Sequence, residues 1–392
     1  MAEKRSEAVK IFLSAGEASG DLHGASLLRQ LRRLDPHVSA ACLGGHRLAA
    51  EGARLVGHYR DLSLIGVMEV FGRAKAIAHT WRRVARHLRD ERPDVVVLID
   101  FPDFNFILGR LAHRLGLKVF YYISPQVWAW RPGRVRTLKT FVDQMAVILP
   151  FEEAFYRRHG LEVTYVGHPL VDRIHSAPSK AQAFERYRRI LGGSGGNGSP
   201  TGPVVGLLPG SRPGENRRLF PVLLHSAEIL ARRFSGVRFL VPAADTELVP
   251  VLEATAGEHR LPLRVVAEDP YGVIRACDLV VTASGTVTLE TALLGTPMVI
   301  IYKVSPFEYT LGRHLVRVEH IGLPNLIAGE RVCPELVQGD ASPERIAAEA
   351  ASLLGNDAHR KAQMERLKDV ARKLGSPGVA ERVARMVWDA CR

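Results

Sequence analysis

The sequence predicts an α/β protein built from two Rossmann-like domains facing each other across a crevice. Three observations predict it. Short, nearly continuous apolar runs alternate with helical patterns through the first 170 residues, as in a parallel sheet covered on both faces. A polar glycine-serine stretch, GGSGGNGSPTGP (192–203), then interrupts the pattern. Beyond it the alternation restarts, and 392 residues suffice for two cores.

VKIFLSA (9–15) reads as the first strand. Leu22 to Leu34 reads as a helix, with Leu27, Leu28, Leu31 and Leu34 along one side. HVSAACLGG (37–45) is a second strand running into a glycine turn. DVVVLID (94–100), KVFYYIS (118–124) and QMAVILP (144–150) are further strands, with helices such as 74–88 and 106–115 as crossovers. In the second half VVGLLPG (204–210), VRFLVPA (237–243), LVVTASG (279–285) and PMVIIYK (297–303) read as strands. The tail after Ser342 is helical by pattern, with a weak break at GSPG (375–378). The expected division is 1–170, a linker over 171–203, a second domain over 204–365, and C-terminal helices 366–392 that pack back on the first domain.

The chain is 46% hydrophobic and carries a formal charge of +12. Such a balance suits nucleic acid, phospholipid headgroups or phosphorylated small molecules, and equally an arginine-rich genome. The four cysteines, Cys42, Cys277, Cys333 and Cys391, form no C-x-x-C pair, which argues against a zinc site or a disulfide scaffold and for a reducing compartment. The opening MAEKRSEAVK lacks the apolar segment of a secretory signal, and no run approaches the roughly 18 apolar residues of a membrane span.

Ligands of such folds sit beyond the carboxyl ends of the strands, so the strand ends carry the candidate sites. SAGEASGD (14–21) has glycines at 16, 20 and 24, neither G-x-G-x-x-G nor a P-loop, and Glu17 is a poor neighbour for pyrophosphate. It fits a turn that meets sugar hydroxyls, or one in which Asp21 caps a helix. IDFPDFNF (99–106) carries Asp100 and Asp103 at a strand end, where a carboxylate in a partly apolar cleft can act as general base or cap the next helix. YYISPQVWAWRPGRVRTLK (121–139) interleaves aromatic and basic residues, as an RNA-stacking, phosphate-binding or simply packed loop does. PGSRPGENRR (209–218) offers the Arg212 fork and backbone N–H groups near Gly210 and Ser211 for an anion. ASGTVTLE (283–290) sets Ser284, Gly285 and Thr286 at a helix start suited to a diphosphate, with Glu290 a turn further on, where its carboxylate can take ribose hydroxyls. DLSLIGVMEVFGRAKAIAHTWRRVARHLRD (61–90) opens with an apolar segment followed by arginines, either a core helix or a membrane-dipping patch.

Together SAGEASGD, IDFPDFNF, SPQVWAWRPGR (124–134), VGHP (166–169), LLPGSR (207–212), ASGTVTLE and LPNLIAGE (323–330) resemble, in content and order, the lipid-A-disaccharide synthase family over nearly the whole chain. The resemblance implies an inverting glycosyltransferase of the two-domain GT-B type. It implies transfer from UDP-2,3-diacylglucosamine to the 6-hydroxyl of 2,3-diacylglucosamine 1-phosphate (lipid X), giving UDP and a β-1,6 disaccharide 1-phosphate. It further implies no metal or other cofactor, no nucleic-acid partner, a homodimer with exchanged C-terminal portions, and work at the cytoplasmic face of the inner membrane.

Carried onto this sequence, the family pattern makes Asp103 the base, with Asp100 in reserve. Arg212, with Ser211, Ser284, Gly285 and Thr286, faces the donor diphosphate, Glu290 the UDP ribose, and Asn325 is a further nucleotide-side residue. Gly16, Glu17 and Ser19 line the acceptor side. Leu64, Ile65, Val67, Met68 and Phe71 form the membrane contact. PGENRR departs from the family's more acidic helix start, which either adds anion contacts or extends the basic surface. A transferase with another acceptor, a nucleotide-sugar epimerase, or a non-catalytic RNA- or membrane-binding protein are the rival readings; the PDFN and WAWR segments speak against the epimerase.

Overall fold

The computed structural model describes residues 8–62, 70–191, 202–267, 269–305, 309–310 and 319–392. The chain divides into two compact units, residues 1–169 with 376–392, and residues 170–375.

The first unit alternates β1 (Lys10–Ala15), α1 (Ala18–Leu34), β2 (Ser39–Gly44), α2 (His46–Ala50), β3 (Arg54–His58), α3 (Val70–Glu91), β4 (Val95–Ile99), α4 (Pro102–Arg114) and β5 (Lys118–Tyr122). It continues through α5 (Val127–Trp130), α6 (Val135–Leu138), β6 (Gln144–Val147), α7 (Glu152–Arg158) and β7 (Thr164–Tyr165). The strands form one parallel sheet in the order β3-β2-β1-β4-β5-β6-β7. Period-two alternation sends Ile11, Leu13, Val95 and Val97 into a core on one face and Phe12, Val96 and Leu98 into a core on the other. That is why these strands read as unbroken apolar runs.

The second unit holds α8 (Leu170–Ile174), α9 (Lys180–Leu191), β8 (Val204–Leu208), α10 (Pro213–Arg233), β9 (Arg238–Ala243), α11 (Val249–Gly257), β10 (Leu263–Ala267) and α12 (Pro270–Ala276). Then come β11 (Leu279–Ala283), α13 (Thr286–Leu294), β12 (Met298–Tyr302), α14 (Leu323–Ala328), β13 (Glu335–Val337), α15 (Pro343–Gly355) and α16 (Asp357–Lys373). Its parallel sheet runs β10-β9-β8-β11-β12-β13. The last helix, α17 (Val379–Ala390), returns to the first unit. There Val383, Ala384 and Val387 are buried beside Leu27 and Leu31 of α1, and Lys118 Nζ donates to the Ala390 carbonyl at 2.6 Å. The return begins at Gly375 and Gly378, whose φ of +89° and +94° suit glycine alone.

Three local readings change. The first helix starts at Ala18 rather than Leu22, and the second crossover helix starts at Pro102 rather than Phe106, so Asp103 lies inside a helical first turn. The region 171–191, read as linker, forms α8 and α9, while the glycine-serine residues 192–201 lie outside the described residues. In the apolar 62–71 segment, Leu62 is buried in the core. Leu64, Ile65, Val67 and Met68, and the side chain of Phe71, lie outside the described residues. No helix among the described residues is long and apolar enough to cross a membrane.

Candidate active site

In each sheet the strand order reverses at one place, between β1 and β4 in the first unit and between β8 and β11 in the second. The chain leaves neighbouring strand ends there in opposite directions, which opens a crevice at their carboxyl edge.

In the second unit the reversal holds a cavity of about 440 Å³. Ser211, Arg212, Ser284, Gly285, Thr286 and Glu290 all line it. Two helices, α10 and α13, begin at its wall. Their N-cap residues are Arg212 and Gly285, and neither makes a side-chain capping bond. Uncapped helix starts leave backbone N–H groups and the positive dipole end for an anion. Gly210 has a φ of +104°, and a Cβ there would overlap the Glu215 carboxylate, so the turn into α10 requires glycine. Gly285 differs: its backbone is extended, and an added Cβ would meet no protein atom within 4 Å. Its missing side chain leaves room in the cavity. Arg212 is 83% exposed, with Nη1 3.6 Å from Glu215. Ser284 Oγ donates to the Ile321 carbonyl at 3.1 Å.

Glu290 is largely buried, and burial raises its carboxyl above the ordinary range. The Tyr271 hydroxyl, which donates to Oε1 at 3.1 Å, and the charge of Arg173 oppose that rise. Sequence reasoning missed Tyr271, Glu215 and the Pro242–Ala244 end of β9, which also lines the cavity. VRFLVPA ends without a glycine to mark it, and Glu215 stands within PGSRPGENRR.

The structure does not bring Asn325 to this cavity. Its side chain is fully buried, donating to the Cys333 carbonyl and Glu335 and accepting from the backbone N–H groups of Val332 and Cys333. With both ends of the amide engaged, it ties α14 to the segment entering β13.

In the first unit the ends of β1 and β4 are sewn together by Asn105. It accepts from Ser14 Oγ at 2.6 Å and donates to the carbonyls of Ile99 and Asp100 at 3.2 and 2.8 Å. Tyr121 Oη also donates to the Asp100 carbonyl at 2.8 Å. These bonds hold Asp100 and Phe101 at φ of +45° and +47°, an uncommon left-handed pair. Burial, then the charge of Glu17, pushes the Asp100 carboxyl up to about 6. Asp103 stands in the first turn of α4, 88% exposed, with Arg134 Nη1 at 3.6 Å. Arg134 also lies over the ring of Phe106, and Arg131 over that of Trp130 at 3.9 Å. Within the aromatic-basic stretch Arg131 and Arg134 both lie over Trp130, while Trp128 packs edge-on against Phe151.

Gly16 packs against Phe101, whose ring an added Cβ would overlap. Glu17 caps α1 by position only, its side chain accepting from Ser19 Oγ at 3.1 Å. Asp21 does cap a helix, but not its own: it accepts from the N–H groups of Gly45, Arg47 and Leu48 at 2.7, 3.0 and 3.2 Å, at the start of α2. Among the described residues no three His, Cys, Asp or Glu side chains cluster as a metal site.

Residues 11–384 match a family model described as lipid-A-disaccharide synthetase. The lipid-A-disaccharide synthase of Geobacter sulfurreducens is 45% identical over 384 residues, covering 97% of each chain. That of Nitrosococcus oceani is 42% identical over 370 residues, covering 93% of this chain and 92% of its own. Among solved structures, the UDP-GlcNAc 2-epimerase of Neisseria meningitidis superposes with a TM-score of 0.64 at 10% identity, covering 97% of this chain and all of that one. The calicheamicin glycosyltransferase CalG4 superposes with a TM-score of 0.60 at 16% identity, covering 98% of both. At such identities these two likenesses speak for the fold alone, two Rossmann-like domains of the GT-B kind.

Proposed function

The chain belongs to the lipid-A-disaccharide synthase family, a family of GT-B glycosyltransferases of lipid A biosynthesis, and from that premise we propose a division of labour between its two switch points. The second unit holds the UDP of UDP-2,3-diacylglucosamine, and the first activates the 6-hydroxyl of lipid X. The observation that carries this reading is the cavity at the β8/β11 reversal, with its two uncapped helix starts, Arg212 and Glu290.

Asp103 takes the proton of the 6-hydroxyl as that oxygen bonds to the donor C1. The bond from C1 to the β-phosphate oxygen breaks on the opposite face, and its electron pair leaves with UDP, which inverts the sugar centre. Arg212 and the N–H groups at the starts of α10 and α13 take up the charge growing on the leaving phosphate. Ser211, Ser284, Gly285 and Thr286 line that side, and Glu290 accepts from the ribose hydroxyls. Exposure favours Asp103, because a hydroxyl carried on a lipid can reach it, and Arg134 gives the carboxylate a fixed aim. Asp100 is the second candidate, since a carboxyl near 6 is poised for proton transfer around neutrality. Gly16, Glu17 and Ser19 form the wall beside it. The protein works at the cytoplasmic face of the inner membrane, as a homodimer with exchanged C-terminal portions. The net charge of +12 supports attachment to anionic headgroups.

Asp103→Asn and Asp100→Asn separate the two carboxylates. Loss of a general base lowers turnover about 100- to 10,000-fold. The expectation is that Asp103→Asn does so with UDP affinity retained. Were Asp100 the base, the rate would rise with pH through about 6, as its carboxyl ionises, and Asp100→Asn would abolish that limb. Wild-type turnover in Asp103→Asn moves the role to Asp100.

A further inference from the structure

Tyr271 belongs to no motif that the sequence singled out, yet three elements of the second unit converge to hold it. It is the second residue of α12, whose start is capped by Asp269: Oδ1 accepts from Gly272 N at 2.9 Å. The other oxygen of Asp269 accepts from Tyr187 Oη at 2.7 Å and pairs with Arg186 at 2.8 Å, so α9 pins the start of α12. From α8, the Arg173 guanidinium lies 5.7 Å from the centre of the Tyr271 ring. The hydroxyl of a ring fixed in this way donates to Oε1 of Glu290 at 3.1 Å. Among the described residues no hydrogen bond is made to Oε2.

We propose that Tyr271 is a positioning residue for the nucleotide: its hydroxyl occupies one oxygen of Glu290 and turns the other toward a ribose hydroxyl. The inference rests on the reading of Glu290 as the ribose ligand. A carboxylate on a helix has a free terminal torsion, and a bidentate or aimed contact needs that torsion fixed. A single donor on one oxygen does this without using the acceptor capacity the ligand needs. The same bond favours the charged form of a largely buried acid, which is the form that accepts from hydroxyls. The charged and titratable groups facing Glu290 are Tyr271 from α12 and Arg173 from α8, while Arg212 and Glu215 share its cavity from the turn after β8.

The test uses the full-length protein with UDP and 2′-deoxy-UDP as probes, titrated calorimetrically over a pH series. Tyr271→Phe keeps the ring and its stacking on Arg173, so its melting point should stay near that of the wild type. Loss of a hydrogen bond to a charged group predicts UDP binding weakened about tenfold. Discrimination between UDP and its 2′-deoxy form should shrink, and the acid limb of UDP affinity should move to higher pH. The KM for the UDP-sugar should rise with kcat nearly unchanged. A merely structural tyrosine would move neither the discrimination nor the acid limb. If Tyr271→Phe keeps both as in the wild type while Glu290→Gln loses both, the positioning role is overturned and the reading of Glu290 stands. If the wild type itself does not distinguish the two nucleotides, the reading of Glu290 fails, and the inference fails with it.

Discussion

Gly285 and Gly16 both follow a central strand, and they are glycines for opposite reasons. At 285 the backbone is extended and an added Cβ meets no protein atom within 4 Å, so only a ligand has use for the space. At 16 the Cβ would overlap Phe101, a residue already in a left-handed conformation. Gly285→Ala should therefore melt like the wild type and bind UDP about tenfold more weakly, while Gly16→Ala should lose about 1–3 kcal/mol through overpacking. Thermal melts and UDP titration of both variants check this. A destabilised Gly285→Ala with normal UDP affinity would reverse the assignment. At this scale the sequence spoke unevenly. Arg212 and Glu290 were legible because each stands a fixed step from a glycine at a strand end. Tyr271 was not, because its partner lies 19 residues away and only the packing of α12 against α13 joins them. Asn325 was read from its motif, and nothing in LPN tells that its amide is spent inside the fold. Asp21 was read as a cap, but which helix it caps depends on the β2–α2 turn reaching it.

Among the elements, the strands legible in the sequence are those buried on both faces. The strands that the sequence did not announce, β3, β7, β10 and β13, are the edges of the two sheets. An edge strand has one neighbour and a partly wet surface, so it needs no apolar run; β3, RLVGH, buries only Val56 and Gly57, and β10, LRVVA, buries no residue fully. The helices over 366–392 were expected to return to the first unit; the return begins later, at 376, and α16 stays with the second unit. The two positive-φ glycines mark the start of the return. Burial of Val383 and Val387 against α1 makes α17 part of that unit's core. Val383→Ala and Val387→Ala should each weaken it by about 2 kcal/mol. Hydrogen exchange localises the effect: protection should fall in β1, α1 and β5, with β8 and β11 unchanged. Equal loss in both sheets would mean that α17 does not belong to the first unit alone.

For the whole molecule, the proposed reading has each unit bring one half of a transfer reaction to the reversal point of its own sheet. The donor half is the better built, with a cavity, two open helix starts and a carboxylate held by a tyrosine. The acceptor half is a pair of acids beside a backbone held taut by Asn105 and Tyr121. A UDP-GlcNAc 2-epimerase shares the fold, so fold alone does not choose between an epimerase and a transferase. Dependence on the acceptor does. The most direct measurement is the initial rate of UDP release from UDP-2,3-diacylglucosamine as lipid X is increased from zero. The account predicts no release without lipid X and a saturable rise with it, accompanied by disaccharide 1-phosphate in equal amount. Release of UDP at the same rate with and without lipid X, or none at any concentration, would contradict it.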